Sequence, residues 1–154
     1  MKKALSLALV ILMLLTLCSC GKAPSVTNLV EYPVGTTSIR DYEKFVKSCG
    51  YKVENTTDQY VSFTDGTWDG MATPTGITLS LNTIGIGNEE FDKEIEAVRQ
   101  ELRSLCGEPY ASQSSQMHPM TNEFYAYGDK VVAVTIITSP MKSMNIAIMP
   151  APQA

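Results

Sequence analysis

The sequence predicts an α+β fold in which an antiparallel sheet carries two helices on one face. Apolar residues recur at helical spacing in two stretches, and each stretch is followed by short runs that alternate or are rich in β-forming residues. Both helices end in Cys-Gly, at Cys49-Gly50 and Cys106-Gly107. Because helix and three strands are followed by helix and three strands, we expect a tandem repeat that forms one layered domain.

The first helix is predicted to begin after Thr37 or Ser38, either of which is a suitable N-cap. Gly50 is expected just beyond its end, since helices commonly close on a glycine. Three β-rich segments follow, at residues 51–54, 60–64 and 77–82. One face of the helix is lined by Tyr42, Phe45, Val46 and Cys49.

The second helix is predicted to begin at Asn88 as its N-cap, with acidic residues in its first turn, and to end at the residue before Gly107. A polar loop is expected over residues 111–121. Strands are then expected at residues 123–127, 130–138 and 144–149, with Gly128-Asp129 as a two-residue hairpin turn. The apolar stripe of the helix consists of Phe91, Ile95, Val98, Leu102 and Leu105.

The end of the second helix also carries a resemblance. The segment Leu105-Cys106-Gly107-Glu108-Pro109 resembles the Leu-Gly-x-Pro helix end of small outer-membrane assembly lipoproteins. The order of elements is similar to that of these proteins and of the β-lactamase-inhibitor proteins. The resemblance implies an antiparallel sheet with helices on one face, and it concerns the fold rather than the function.

The amino terminus is typical of an export signal. Lys2 and Lys3 precede a run of about fourteen mostly apolar residues, at positions 4–17. As a helix this run would be roughly 21 Å long. That is short against a hydrocarbon core of about 30 Å, so the run favours a signal peptide over a permanent transmembrane helix.

The signal ends in Leu17-Cys18-Ser19-Cys20, which resembles the lipobox of prokaryotic membrane lipoproteins. The resemblance implies cleavage after Ser19 and attachment of diacylglycerol to the sulfur of Cys20. Cys18 does not fit as the modified residue, because Leu17 would then occupy a position that requires a small side chain. We therefore expect a signal peptide at 1–19, a lipidated flexible tether at 20–35 and a single α+β domain at 36–150.

The expected mature chain is acidic. Removing residues 1–19 removes Lys2 and Lys3 from 12 basic residues and none of the 16 acidic ones, so the net charge becomes −6. Nucleic-acid binding needs clustered basic side chains, and the sequence has no such cluster. The expected partners are membrane lipid, through acylated Cys20, and a protein of the cell envelope on the extracytoplasmic side.

Cys49 and Cys106 form the candidate disulfide of the mature domain. A bridge would close a loop of about 57 residues and contribute about 4 kcal/mol by the chain-entropy model. The alternative is that each is a small buried apolar side chain at the end of its helix. The sequence leaves both alternatives open.

The most suggestive cluster for metal chemistry is Met117-His118-Pro119-Met120. Thioether and imidazole ligands suit Cu(I), so a copper or small-ligand carrier is the alternative function. Against it, His118 is the only histidine, and several methionines fall in apolar strand patterns. The later methionines of the cluster are Met141, Met144 and Met149.

The segment from Asp65 to Gly70 contains the aspartates and glycines of a tight calcium loop. It lacks the regular oxygen ligands and the closing glutamate that calcium requires. Two Asp-Gly turns around a packed Trp68 are expected instead. An exposed aromatic patch of Trp68 with Tyr60 and Phe63 is the alternative.

The sequence contains no catalytic constellation. Nothing aligns a serine or a carboxylate with the single histidine, and phosphate-loop, dinucleotide and zinc motifs are missing from the sequence. We expect no enzyme activity and no cofactor. The leading hypothesis is a membrane-anchored, non-catalytic binding module that presents its sheet or a loop to a protein partner in the envelope.

Overall fold

The computed structural model describes residues 25–115 and 119–152. Within these residues it contains three helices and eight strands. The helices are α1 (Val26–Glu31), α2 (Ile39–Ser48) and α3 (Asn88–Cys106). The strands are β1 (Lys52–Thr56), β2 (Val61–Thr64), β3 (Trp68–Thr73), β4 (Gly76–Leu81), β5 (Ala111–Ser114), β6 (Met120–Tyr127), β7 (Lys130–Ile137) and β8 (Ser143–Pro150).

The strands form one antiparallel sheet in the order β1-β2-β3-β4-β8-β7-β6-β5. Each half is a four-stranded meander, and the last strands of the two halves, β4 and β8, pair with each other at the centre. The predicted α+β class is confirmed. The predicted repeat of helix and three strands is wrong in its count, because each half contains a fourth strand, β3 or β5.

The two amphipathic helices lie close to their predicted positions. Ser38 caps α2, and its Oγ accepts a hydrogen bond from the backbone N–H of Asp41 at 3.2 Å. The N-cap of α3 is Gly87, so Asn88 is the first helical residue rather than the cap. The predicted stripe of α3 is confirmed, with Phe91, Ile95, Val98 and Leu102 buried and Leu105 partly buried.

The first helix corrects the prediction of a flexible tether at residues 20–35. Residues 20–24 lie outside the described part of the chain, but residues 26–31 form α1. Val26, Leu29 and Val30 are buried in the core. The folded domain therefore begins near Ser25, before the expected boundary. Six residues are too few for a recognisable helical period, which is why the pattern did not predict α1.

The helices cover one face of the sheet and enclose the core. We call this side the covered face. α2 packs on β1, β2 and β3, while α3 packs on β6. The strand registers place one row of side chains across the middle of this face: Phe63, Gly70, Leu79, Ile146, Val134 and Glu123.

Gly70 shows why a glycine interrupts that row. A Cβ atom at this position would overlap the aromatic ring of Phe63 on the neighbouring strand. The glycine therefore makes room for a large side chain that is 1% exposed. A strand glycine of this kind marks a close approach within the sheet rather than a turn.

Across residues 25–115 and 119–152, no helix combines the length and apolar composition needed to span a bilayer.

Candidate functional site

The helices pack on one face of the sheet, and the candidate functional site is the second face. We call it the open face and define it by the strand side chains that alternate with those of the covered face. Each central strand shows this alternation, as in β7, where buried and half-buried residues follow one another from Lys130 to Ile137. Five neighbouring strands, in the spatial order β4, β8, β7, β6 and β5, form the main part of the open face. Its side chains on these strands are Thr78, Ser80, Ser143, Asn145, Ala147, Met149, Val131, Ala133, Thr135, Ile137, Met120, Asn122, Phe124, Ala126, Ala111 and Gln113.

A polar row crosses the open face. The register aligns one residue from each of five strands: Ser80, Asn145, Thr135, Asn122 and Gln113. The Ser80 hydroxyl donates to Asn145 Oδ1 at 2.7 Å, and the Thr135 hydroxyl donates to Asn122 Oδ1 at 2.8 Å. These two cross-strand bonds orient four of the five side chains, so most of the row offers a preorganised set of donors and acceptors.

A more apolar row lies beside the polar one. It runs through Met71, Thr78, Ala147, Ala133, Phe124 and Ala111. Met71 and Met149 are among the exposed large apolar residues, at 42% and 41% exposure. The two methionines line a shallow groove of about 350 Å³ whose floor includes Gly76. A Cβ atom at Gly76 would overlap the Ile148 carbonyl, so the glycine keeps the strands close there.

The open face is unusual in its charge. On the five strands from β4 to β5 none of its side chains is charged, and the nearest charged side chains on the same face are Asp69 and Lys52. By contrast, the first turn of α3 alone contains Glu89 and Glu90. Strand faces that are exposed to solvent usually carry charged side chains. A surface that has few charged side chains but includes methionine and aromatic side chains is typical of the centre of a protein interface.

The covered face contains a buried ion pair. Glu123 is 6% exposed, and its Oε1 accepts from Arg99 at 2.9 and 2.5 Å. Its second oxygen accepts from the Tyr125 hydroxyl at 2.9 Å. Burial by itself raises the pKa of Glu123, but the hydrogen bonds from Arg99 and Tyr125 outweigh burial and leave the pKa below its ordinary value. All of these groups are paired, so the cluster holds α3 to β6.

Lys130 is the second buried charge of the covered face. Its ammonium donates to the carbonyls of Val30 at 2.5 Å and Tyr32 at 3.0 Å, at the end of α1. It also lies 5.3 Å from the centre of the Tyr127 ring. Burial lowers the pKa of Lys130. The side chain satisfies the carbonyl end of a helix, which is a structural task.

The candidate metal ligands do not come together among the described residues. Met117 and His118 lie outside the described part of the chain. Met120 begins β6, where it pairs with Ile137, and Met149 lies near the far end of β8, where it pairs with Val131. Met144 is fully buried and Met141 is 81% exposed in a loop. Within residues 25–115 and 119–152, no group of three or more histidine, cysteine, aspartate or glutamate side chains could hold a metal ion.

The segment from Asp65 to Gly70 agrees with the prediction only in its first half. Asp65 Oδ1 accepts from the backbone N–H groups of Thr67 at 2.9 Å and Trp68 at 2.7 Å, which closes the β2–β3 hairpin. The second predicted turn, Asp69-Gly70, is wrong, because both residues lie inside β3. Trp68 is 8% exposed and faces the helices, as Phe63 does, so an exposed aromatic patch is also wrong.

Cys49 and Cys106 are both thiols in the structure. Cys49 is buried at the end of α2, and Cys106 is half-buried at the end of α3. Burial raises the pKa of the Cys106 thiol, which makes it a weaker nucleophile at neutral pH. Cys20, the expected site of lipid attachment, lies outside the described residues.

Comparison of the chain with family models and curated proteins, and of the structure with solved structures, found no match. The open face was not predicted from the sequence. A signal was present, because residues 131–149 contain a single charged residue, Lys142, in a chain that is 18% charged. Which of these residues share a face becomes visible only from the strand register.

Proposed function

We propose that this chain is a lipid-anchored, extracytoplasmic binding protein that holds a protein partner on its open face. The observation that carries the proposal is the absence of charge on the open face across the five strands from β4 to β5. Removing water from an uncharged face costs little free energy, whereas each exposed charge would add a desolvation cost on binding. The signal and lipobox at the amino terminus supply the location.

The shape of the face favours a protein over a small ligand. Small-molecule sites are concave and enclose most of their ligand, whereas this surface extends across several strands, and its groove at Met71 and Met149 is shallow. Met71 and Met149 provide adaptable apolar contacts beside the polar row, and Phe124 and Val131 add rigid ones. A broad surface with an apolar part and a preorganised polar part suits a folded partner.

The test compares the two faces of the domain with the same chemical change. Thr78→Arg combined with Asn145→Arg places two charges on exposed positions of the open face. Ala97→Arg combined with Gln100→Arg does the same on the exposed side of α3. Each mature domain is immobilised and used to capture proteins from an envelope extract, with thermal unfolding as the check on folding.

We expect a discrete captured protein with the unchanged domain and with the α3 variant, and at least a tenfold loss with the open-face variant, since two buried charges cost several kcal/mol. Capture that survives in the open-face variant but is lost in the α3 variant would contradict the proposal. Failure of all three domains to capture any protein would also count against it.

The anchor is tested separately. Cys20→Ser should move the chain from the membrane fraction to the soluble fraction and abolish incorporation of radiolabelled palmitate. Cys18→Ser is the matched control, because it removes a neighbouring thiol and leaves the modified residue in place. If Cys18→Ser abolishes labelling and Cys20→Ser does not, the assignment of the lipid to Cys20 is wrong.

A further inference from the structure

We infer that α1 fixes the anchored end of the chain to the helix layer, so that the open face is directed away from the bilayer that holds the lipid. This inference rests on the proposed function, because it takes lipidated Cys20 as given. It adds the side from which the partner approaches: a protein surface in the aqueous extracytoplasmic space, rather than the bilayer or a helix embedded in it.

The beginning of α1 is held to α3 by Glu101. One carboxylate oxygen, Oε1, accepts from the Ser25 hydroxyl at 2.6 Å and from the backbone N–H of Thr27 at 2.8 Å. The carboxylate thereby satisfies a donor in the first turn of α1 from a different element. These bonds join residues 76 and 74 positions apart, so they fix where the chain enters the domain.

The end of α1 is held to the sheet by Lys130. Its ammonium reaches the carbonyls of Val30 and Tyr32 from β7, at the covered face. Tyr32 also stacks on Phe45 of α2, with ring centres 3.6 Å apart. Contacts to α2, α3 and β7 together make α1 an integral part of the helix layer, and Ser25 lies at its start.

The chain between the anchor and α1 is short. Five peptide units separate Cys20 from Ser25. At about 3.6 Å for each residue, even a fully extended chain spans at most about 18 Å. The membrane surface must therefore lie within about 18 Å of the helix layer.

That length leaves little room for the open face to rest on the bilayer. A helix layer and a sheet are stacked at about 10 Å, and the open-face side chains add roughly 5 Å more. The connection would use almost its whole length to cross this depth. It would also have to pass around the edge of a sheet that is roughly 34 Å wide, at about 4.8 Å for each strand interval, with only about 10 Å of sideways reach left. Of the two faces of the domain, the helix layer is consequently the one nearer to the lipid.

Energy transfer to the bilayer tests the inference with the intact lipidated protein. A fluorescent amino acid is incorporated either at Gln100, on the exposed side of α3, or at Gln113, on the open face of β5. The protein, extracted in lipidated form, is inserted into preformed phosphatidylethanolamine–phosphatidylglycerol vesicles that carry an acceptor dye on their headgroups. Flotation of the vesicles shows whether the protein is anchored.

We expect transfer from position 100 to exceed transfer from position 113 by at least twofold. Inserting about ten glycine and serine residues between Pro24 and Ser25 should remove most of the difference, because the short connection is what orients the domain. Equal transfer from both sites without the insertion, or larger transfer from position 113, would overturn the orientation while leaving partner binding by the open face to be judged on its own test. A chain that does not float with the vesicles would overturn both the anchor and the orientation.

Discussion

The two faces of the sheet are built from the same strands but differ in burial and in polarity. On the covered face, Leu79 and Ile146 are at most 1% exposed and pack beneath the helices. On the open face, their neighbours Ser80 and Asn145 are exposed and hydrogen-bonded to each other across the strands. Burial of apolar area provides the stability of the domain, while the open face contributes little to it and is available for recognition.

The covered face is the more apolar of the two faces, yet it is also the face that contains charged side chains on the central strands. The covered face buries two ionised side chains, Glu123 and Lys130, and each is satisfied by specific partners. The open face, where charges would be inexpensive, has none on its central strands. The charged side chains of the covered face therefore stabilise the fold. Stability does not explain why the central strands of the open face carry no charged side chains, so this feature calls for a functional explanation.

The largest expected effect is on the covered face. Ile146→Ala should lower the free energy of unfolding by about 2–5 kcal/mol, because it removes buried methyl groups and leaves a cavity at the junction of β4 and β8. Thr78→Ala, on the open face of the adjacent strand, should change it by less than about 0.5 kcal/mol. Urea unfolding followed by circular dichroism measures both. Similar losses for the two variants would remove the distinction between the faces.

The buried ion pair should produce a smaller, pH-dependent effect. Because the pKa of Glu123 is lowered in the fold from an ordinary value of 4.5, the unfolded chain takes up this proton first as the pH falls. The stabilisation is therefore complete above pH 4.5 and is lost as the pH falls through the lowered value. Glu123→Gln should lower the free energy of unfolding at pH 7 by about 1–3 kcal/mol.

The same variant should flatten the acid side of the stability profile. Urea unfolding of both proteins at pH values from 7 to 3 makes the comparison, and Glu96→Gln is the control, because Glu96 also meets Arg99 but is 66% exposed. A wild-type profile that is no steeper than that of Glu123→Gln below pH 4.5 would show that the pair does not stabilise the fold.

Lys130→Met should loosen α1 more than the rest of the domain. The change removes the donors to the Val30 and Tyr32 carbonyls, at a cost of about 1–3 kcal/mol. Amide hydrogen exchange should quicken by at least fivefold in residues 26–31, with little change in β4 and β8. Lys142→Met is the control, since Lys142 lies in a loop remote from α1 and bonds Asn88 instead. Uniform loss of protection would contradict a local role for Lys130.

The smallest effect concerns the thiols. Cys49 is 4% exposed, so it should react with a thiol reagent only when the domain unfolds, whereas half-buried Cys106 should react slowly in the folded state. Counting thiols in a Cys20→Ser, Cys18→Ser chain in denaturant should give two. A count of zero would show that Cys49 and Cys106 form a disulfide after export.

The sequence predicted the elements whose pattern is long and local. The stripe of α3 and the turn at Gly128-Asp129 fall in this group, and the structure confirms both, with Tyr127 paired to Lys130 across the turn. It did not predict β3, because Gly70 resembled a turn residue, although its role is to accommodate the Phe63 ring. It did not predict β5, a four-residue strand without apolar alternation.

The open face was beyond a sequence-based prediction for a different reason. It is assembled from strands that are far apart in the chain, and its central contact pairs β4 with β8, such as Ser80 with Asn145. A shift of one residue in that register would exchange the two faces of the strand. No local pattern specifies such a pairing, so the composition of the face followed only from the structure.

The most direct test of the central claim is site-specific photocrosslinking in growing cells. A photoreactive amino acid is placed at Thr78 on the open face or at Ala97 on the exposed side of α3. We predict a discrete protein adduct from position 78 that is missing from position 97. Adducts from position 97 alone, or the same protein crosslinked equally from both positions, would contradict the assignment of partner binding to the open face.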